Sequence, residues 1–429
     1  MRRFSIRGVV SSASTALLLI TFLAANARAG GVITHYDIDA QIFPEQGKLG
    51  ATAALTLTAP EGGLQQIRLL LNRSLEVRSV TSDAGIKSFS FDRTQPSNHR
   101  YAPTAAPLVV DFAEKVEAGR SIILRIGYEG AIEPDTWRTN LITPKWVELA
   151  FYVAWYPYDP GSSSFTSRVT VKTDPAYPVT GTGVLSRAEN GWVLTQDQPS
   201  WDIIVISAPN LSLRRVGDQG AEVEVWYSTL TADQVDHIAG DAGKVLTQLK
   251  NWLGPVSSKK LRIVFAERDS GGGYYRTGFM TLIWDPEYPE LVRYAAHEAA
   301  HFWWGRGRST TWEDWLNESF AEYSALLLMR DWYGPAVFAD YLSRYRKEAE
   351  NAPAIWGLDR NDNAAYTVLY RKGPVLLEQL EQKIGSERFR EFLALLVSRK
   401  VENTDQLLST LEEVSSKEIR ANFERTLKQ

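Results

Sequence analysis

From Tyr36 to about Val216 the chain alternates apolar and polar residues in short runs broken by turn residues. Tyr36-Asp37-Ile38-Asp39-Ala40-Gln41-Ile42 has strict period two, Gln46-Gly47 reads as a turn, and Leu49 to Leu57 resumes as a strand. Ile67 to Leu71, Leu75 to Val80, Leu108 to Phe112, Ile122 to Tyr128, Val169 to Lys172, Trp192 to Thr195 and Ile203 to Ser207 follow the same texture. No helix-length stretch interrupts them, so this half is expected to be an antiparallel β-domain.

The texture changes at Val216 to Gly220, where a domain boundary is expected. Glu222 to Tyr227 is one more alternating strand, and Thr231 to Leu253 has helical period and ends at Gly254-Pro255. Two strands, Leu261 to Ala266 and Phe279 to Trp284, flank the glycine-rich run Asp269 to Gly278. That run opens onto a strand, whereas a phosphate cradle opens onto a helix N-terminus, so a phosphate site is rejected. Helices are then expected from Asp314 to Tyr333, Val337 to Ala349, Pro374 to Ile384, Glu387 to Lys400 and Asn403 to Leu427.

The first 29 residues read as an export leader: Arg2, Arg3 and Arg7 precede an apolar run from Ala16 to Ala25, and Ala27-Arg28-Ala29 is a cleavage site. The apolar run is too short to span a bilayer. The expectation is a protein cut after Ala29 and released to the periplasm or the outside, with no stable membrane anchor. Loss of the leader removes four arginines and no acid, taking the formal charge from -4 to -8 and leaving 400 residues, enough for two or three domains. A negative balance argues against a nucleic-acid partner. The absence of Cys excludes disulfides, thiol catalysis and a lipidated cysteine. Most of the 14 Trp and 18 Tyr are expected in the core, with some of them lining a cleft.

The chemistry concentrates between Tyr294 and Glu322. His297 and His301 stand four apart in an Ala-rich segment, so on a helix both imidazoles leave one face and can share a metal ion. Glu298 projects beside that point, where a carboxylate can take a proton from a water. Only five His occur in the chain, at 35, 99, 237, 297 and 301, and two of them fall at metal spacing around this Glu. A catalytic zinc takes three protein ligands and keeps one open position. The third ligand is expected to be Glu318, in Asp314-Trp315-Leu316-Asn317-Glu318-Ser319-Phe320-Ala321-Glu322, with Glu322 one turn on as the group that orients a histidine.

With these residues in view, H-E-A-A-H-F-W-W-G followed by W-L-N-E-S-F-A-E-Y resembles the M1 family of zinc aminopeptidases. Two departures stand out: a shorter spacing from His301 to Glu318, taken up in Arg306 to Thr311, and Ser319 where the family usually has Gly. The resemblance implies an α+β fold, an N-terminal antiparallel β-domain (30–216) ahead of a thermolysin-like, mainly helical catalytic domain (217–429), in a short form without the family's C-terminal helical domain. It implies one Zn²⁺ per chain and a peptide substrate.

The resemblance also implies individual roles. Tyr370, in Tyr370-Arg371-Lys372-Gly373, inherits the oxyanion-stabilising hydroxyl, with Tyr366 as the spare. Gly272, Gly273 and Tyr275 fall on the edge strand that pairs with the substrate backbone, Tyr275 standing where the family has a Glu that meets the substrate amine. Glu148, in Lys145-Trp146-Val147-Glu148-Leu149, would be a second amine-binding carboxylate; read on its own, that stretch is a buried aromatic strand. The expected activity is that of an exported zinc metallopeptidase, aminopeptidase-like. A zinc endopeptidase, a zinc hydrolase of another substrate and a non-catalytic peptide-binding protein on the same fold are the alternatives.

Overall fold

The computed structural model describes residues 32–429 apart from 137, 162–163, 219–220, 256–259 and 269–271. The leader expected over residues 1–29, and Asp269, Ser270 and Gly271 of the glycine-rich run, lie outside the described residues.

The strand Val32–Phe43 is the spine of the first half. Its alternation buries Tyr36, Ile38, Ala40 and Ile42 on one face, and the chain reverses through Pro44–Gln46 with Gly47 at φ 64°. It pairs antiparallel with Lys48–Thr58, Ile38 opposite Ala53, within a seven-stranded sheet. Its other neighbour, Phe165–Lys172, runs parallel, Ile38 opposite Val169. The expected antiparallel domain thus holds one parallel pair, a long-range crossover that alternation within each strand cannot reveal. A three-stranded sheet of Leu64–Asn72, Ala105–Val116 and Ile86–Phe91 shares the same core. Ile86–Phe91 and Val184–Ala188 escape the pattern because both are largely exposed, leaving no buried face to mark them. The small sheet of Val179–Gly181, Val205–Ser207, Val147–Leu149 and Leu141–Ile142 completes this half.

The second half opens on a five-stranded sheet ordered Ser212–Asp218, Ala221–Tyr227, Lys260–Phe265, Phe279–Leu282 and Tyr274–Arg276. The boundary expected at 216 runs through the first of these strands. Ser212 already pairs with Tyr227 and Asp218 with Ala221, so the change of texture falls between two paired strands of one sheet. Helix α1 (Ala232–Leu253) starts on a capping box of Thr231 and Gln234 and joins two parallel strands, burying Val235, Ile238, Val245 and Leu249. Helix α2 (Tyr288–Ala300) follows, with Pro289 in its first turn, and then α3 (Trp315–Tyr333), which is buried on nearly every side from Trp315 to Met329.

Helix α4 (Pro335–Glu348) leads through a loop to a single turn, α5 (Ala365–Thr367). A π-helical turn, Val368–Lys372, then runs into α6 (Gly373–Ile384). Helix α7 (Ser386–Ser398) precedes a segment expected as one helix over 403–427. It is two, α8 (Thr404–Val414) and α9 (Lys417–Leu427), because the Ser416 hydroxyl accepts from the amide of Ile419 and starts a new helix. Among the described residues no helix is long and apolar enough to cross a membrane.

Among the described residues two buried ion pairs tie the halves together, Glu148 with Arg268 and Asp202 with Arg276. Asp202, fully buried, accepts from the amides of Phe151 and Ile203 at 2.9 and 2.8 Å and from Arg276 Nε on the edge strand at 2.9 Å. Arg276 lies with its guanidinium 3.8 Å from the Trp201 ring centre and 5.3 Å from that of Tyr152. Replacing Asp202 by Ala leaves a buried guanidinium and two amides without their acceptor. The expected cost is about 3–5 kcal/mol, to be read from the denaturant midpoint of Asp202→Ala against wild type.

Candidate metal centre

Helix α2 carries His297 and Glu298 on buried positions of its last turn, and His301 is its C-terminal cap. The first turn of α3 supplies Glu318. His297 Nε2 and His301 Nε2 each lie 3.4 Å from Glu318 Oε2, and the ligand atoms of the three residues fall within 4.8 Å of one another. Bonds of about 2.1 Å to a tetrahedral ion would set adjacent ligand atoms about 3.4 Å apart.

Hydrogen bonding on the far side of each ring decides which nitrogen faces this point. His301 Nδ1 donates to the carbonyl of Trp304 at 2.8 Å, and His297 Nδ1 faces Glu322 Oε2 at 2.7 Å. Both Nε2 lone pairs therefore turn toward Glu318, whose buried Oε2 has no hydrogen-bond partner. Three electron-pair donors meeting in a buried space call for a cation, and two imidazoles with one carboxylate are a zinc set. The local field has the same sign. Burial would lower the His297 pKa, yet Glu318 and Glu322 bring it to about 10. Burial works against ionised Glu318 as well, but the two imidazoles hold its pKa well below the usual range.

Glu322 is held in turn by Arg293 Nη1 at 2.5 Å and by the hydroxyl of Tyr345. Asn317 clamps the short loop between the two helices: its side chain accepts from the amide of Gly307 at 2.9 Å and donates to that residue's carbonyl at 2.8 Å. Gly307 has to be glycine, since a Cβ there would lie 2.3 Å from the carbonyl oxygen of Glu313. The shortened spacing from His301 to Glu318 is accommodated in this clamped loop.

Glu298 sits beside the cluster. Burial raises its pKa, opposed by His297 and His301, which suits a carboxylate that has to accept and release a proton. Gly273 lies against it: a Cβ on Gly273 would be 3.3 Å from Glu298 Oε1 and 2.5 Å from the carbonyl oxygen of Thr281. Gly272 accepts from Arg268 Nη2 at 2.9 Å, and the adjoining strand Tyr274–Arg276 is the outermost of its sheet. Tyr275 packs its ring 6.0 Å from His301 and 5.1 Å from Phe302. Glu148 is fully buried in the strand Val147–Leu149. Its Oε2 is taken by Trp146 Nε1 at 2.8 Å and Arg268 Nε at 3.2 Å. Through Arg268 it is linked to the edge strand rather than to the metal ligands.

Tyr370 stacks on His297, ring centres 5.6 Å apart at 23°, and crowding by the protein followed by Glu318 and Asp314 raises its pKa well above the ordinary value. It stays a protonated donor. The spare, Tyr366, is exposed and stacks on the outer face of Tyr370 at 4.8 Å. The departure at Ser319 also has a reason. Its hydroxyl donates to the Leu369 carbonyl at 2.6 Å, tying α3 to the π-turn, and fills the space that a Cβ on Gly373 would need, 1.9 Å away.

Sequence reasoning missed Asp314, Arg360 and Tyr101. Arg360 Nη2 lies 2.7 Å from Asp314 Oδ2 and donates to the Tyr101 hydroxyl of the β-domain at 2.9 Å. Burial and Glu318, opposed by Arg360, bring the Asp314 pKa to about 7. Only the position of Asp314 just ahead of Trp-Leu-Asn-Glu could have flagged it; Arg360 and Tyr101 come from loops without a pattern. The Arg276 and Asp202 pair was missed likewise.

A β-domain ahead of a helical domain thus sets His297, His301 and Glu318 around one point, with Glu298 between the histidines, a donor set that fits one zinc ion. Residues 285–425 match the model of the Peptidase family M1 domain. It is 24% identical over 222 residues to endoplasmic reticulum aminopeptidase 2 of Bos taurus, covering 45% of this chain and 23% of that protein. To aminopeptidase M1-B of Oryza sativa subsp. japonica it is 25% identical over 229 residues, 47% of this chain and 26% of that protein. The match thus spans about a quarter of the length of these relatives. An M1 zinc metallopeptidase from Deinococcus radiodurans has the same fold, with TM-score 0.72 and 19% identity over 93% of this chain and 94% of that one. Leukotriene A4 hydrolase from Saccharomyces cerevisiae superposes with TM-score 0.72 and 19% identity over 92% of this chain and 67% of its own.

Metal-free protein titrated with zinc is expected to gain thermal stability, by about 2.7 kcal/mol at a hundred times the dissociation constant. Differential scanning fluorimetry measures it, and Glu318→Ala, which removes one of the three donors, should abolish most of the gain.

Proposed function

We propose that the chain is a zinc-dependent metallopeptidase that hydrolyses peptide bonds in an aminopeptidase-like manner, exported by the leader in residues 1–29. The single observation behind this reading is the convergence of His297, His301 and Glu318 beside Glu298 and the open edge strand. A zinc ion held there supplies a Lewis acid that acidifies a water and polarises the scissile carbonyl.

The protein's own groups account for the rest. The outer edge of Tyr274–Arg276 offers main-chain groups for an extended peptide to pair with, and Gly273 brings that edge close to Glu298. Glu298, its pKa raised by burial, takes the proton of the attacking water and hands it to the leaving amine. Tyr370, kept protonated, donates to the developing oxyanion, an interaction worth about 3 kcal/mol where it is preorganised. The fold relative from Deinococcus radiodurans has been seen with a Tyr-Ser-Ala substrate, which supports a peptide here.

Glu298→Gln keeps the side-chain shape and loses the base. Zinc stoichiometry by elemental analysis should be unchanged while kcat falls by about 10²–10⁴; wild-type turnover in this variant would overturn the mechanism.

A second reading, cleavage at internal bonds, is favoured by two observations. Tyr275 brings no charge to the place of the family's carboxylate, and Glu148 is already paired with Arg268. One peptide with a free and with an acetylated N-terminus separates the two. Stepwise release of single residues from the free form alone is the expected result. Equal cleavage of both forms at one internal bond would make the enzyme an endopeptidase.

A further inference from the structure

The aromatic ring of Tyr370 stacks with two others: buried His297, ring centres 5.6 Å apart at 23°, and exposed Tyr366, ring centres 4.8 Å apart at 21°. Tyr366 is 56% exposed, so burial of its own surface does not explain its position. It is held by its hydroxyl, which accepts from Arg371 Nη2 at 2.8 Å. Arg371 is fixed in turn. Its Nε bonds Glu348 at 2.7 Å, its Nη1 donates to the Tyr370 carbonyl at 3.1 Å, and its guanidinium lies 4.3 Å from the ring centre of Tyr345. Tyr345 donates to Glu322, the residue that holds His297. Tyr366 and Tyr370 are four residues apart, a spacing at which side chains on one helical segment meet, and Tyr370 lies in the π-turn, a feature that recurs at functional sites.

We infer that Tyr366 and Arg371 form an outer brace whose role is to press the Tyr370 hydroxyl into its catalytic position, making both of them positioning residues. The inference rests on the oxyanion role proposed for Tyr370. A tyrosine stacked on one face only can swing out of the cleft by rotation about χ1. The second ring blocks that swing, and Arg371 keeps the second ring in place. Because the hydroxyl is needed in the transition state, loss of the brace should lower kcat and leave KM nearly unchanged.

Tyr366→Ala removes the ring from an exposed site and should lower kcat about 10- to 100-fold, below the 10²–10³ expected for loss of the donor itself in Tyr370→Phe. Tyr366→Phe keeps the ring but not its hydroxyl and should fall only severalfold, as should Arg371→Gln. In the Tyr370→Phe background, Tyr366→Ala should cost nothing further, because its effect runs through the missing hydroxyl. Losses that multiply in the double variant, or a Tyr366→Ala effect confined to KM, would overturn the brace.

A readout independent of turnover is ¹⁹F NMR of protein labelled with 3-fluorotyrosine, with Tyr370 assigned by its absence in Tyr370→Phe. In Tyr366→Ala the Tyr370 signal should acquire the larger H₂O/D₂O isotope shift of a solvent-exposed ring; an unchanged isotope shift would overturn the inference. If wild type cleaves no peptide, the proposed function fails and the NMR comparison still decides the brace. Should Tyr366→Ala not fold, Arg371→Gln carries the same comparison.

Discussion

Two imidazole nitrogens and one carboxylate oxygen point at the same buried space, and that crowding of lone pairs is the constraint on which the rest of the second half depends. With both imidazoles neutral these atoms repel, so the arrangement calls for positive charge between them, a metal ion or the protons that Glu318 and Glu322 favour on His297. Each donor is therefore aimed from behind. Glu322 and the Trp304 carbonyl fix the two rings, Arg293 and Tyr345 fix Glu322, and Asn317 locks the loop that sets the distance between α2 and α3. The helices had to be nearly all-buried for this. Water reaching Glu318 from the side would weaken the demand for a cation.

The same crowding separates the roles of neighbouring carboxylates. Glu318 and Glu322 have lowered pKa values because they face imidazoles or a guanidinium, whereas Glu298 and Asp314 have raised ones because burial outweighs the charges that reach them. Acids that hold charge permanently support a metal, and an acid that burial leaves ready to take up a proton can move one. Four carboxylates on two neighbouring helices are thus assigned different work by environment alone.

The β-domain is part of the site rather than a passenger. Asp202 anchors Arg276 of the edge strand, Glu148 reaches the start of that strand through Arg268, and Tyr101 bonds Arg360 beside Asp314. These contacts fix the edge strand relative to α2, which decides how closely a peptide laid along it would approach Glu298. The π-turn acts from the other side, held to α3 by Ser319 and to α4 by Arg371.

By itself the sequence determined the parts whose information is local. The spacing of His297 and His301 places both imidazoles on one helix face, with Glu298 beside them, whatever the surroundings; alternation from Tyr36 to Ile42 needs only one buried face, and the Thr231 capping box starts α1 from four residues. The class of site, its third ligand and the division into a β half and a helical half followed from such features together with the resemblance of the motifs. Only the tertiary structure decided what depends on residues far apart in the chain. The parallel pairing of Val32–Phe43 with Phe165–Lys172, the pairing of Glu148 with Arg268 and of Asp202 with Arg276, and the link from Tyr101 to Arg360 leave no periodic trace, because no local rule connects the partners. The strands with both faces exposed were unreadable for a related reason: without a core to face, nothing in their sequence had to alternate.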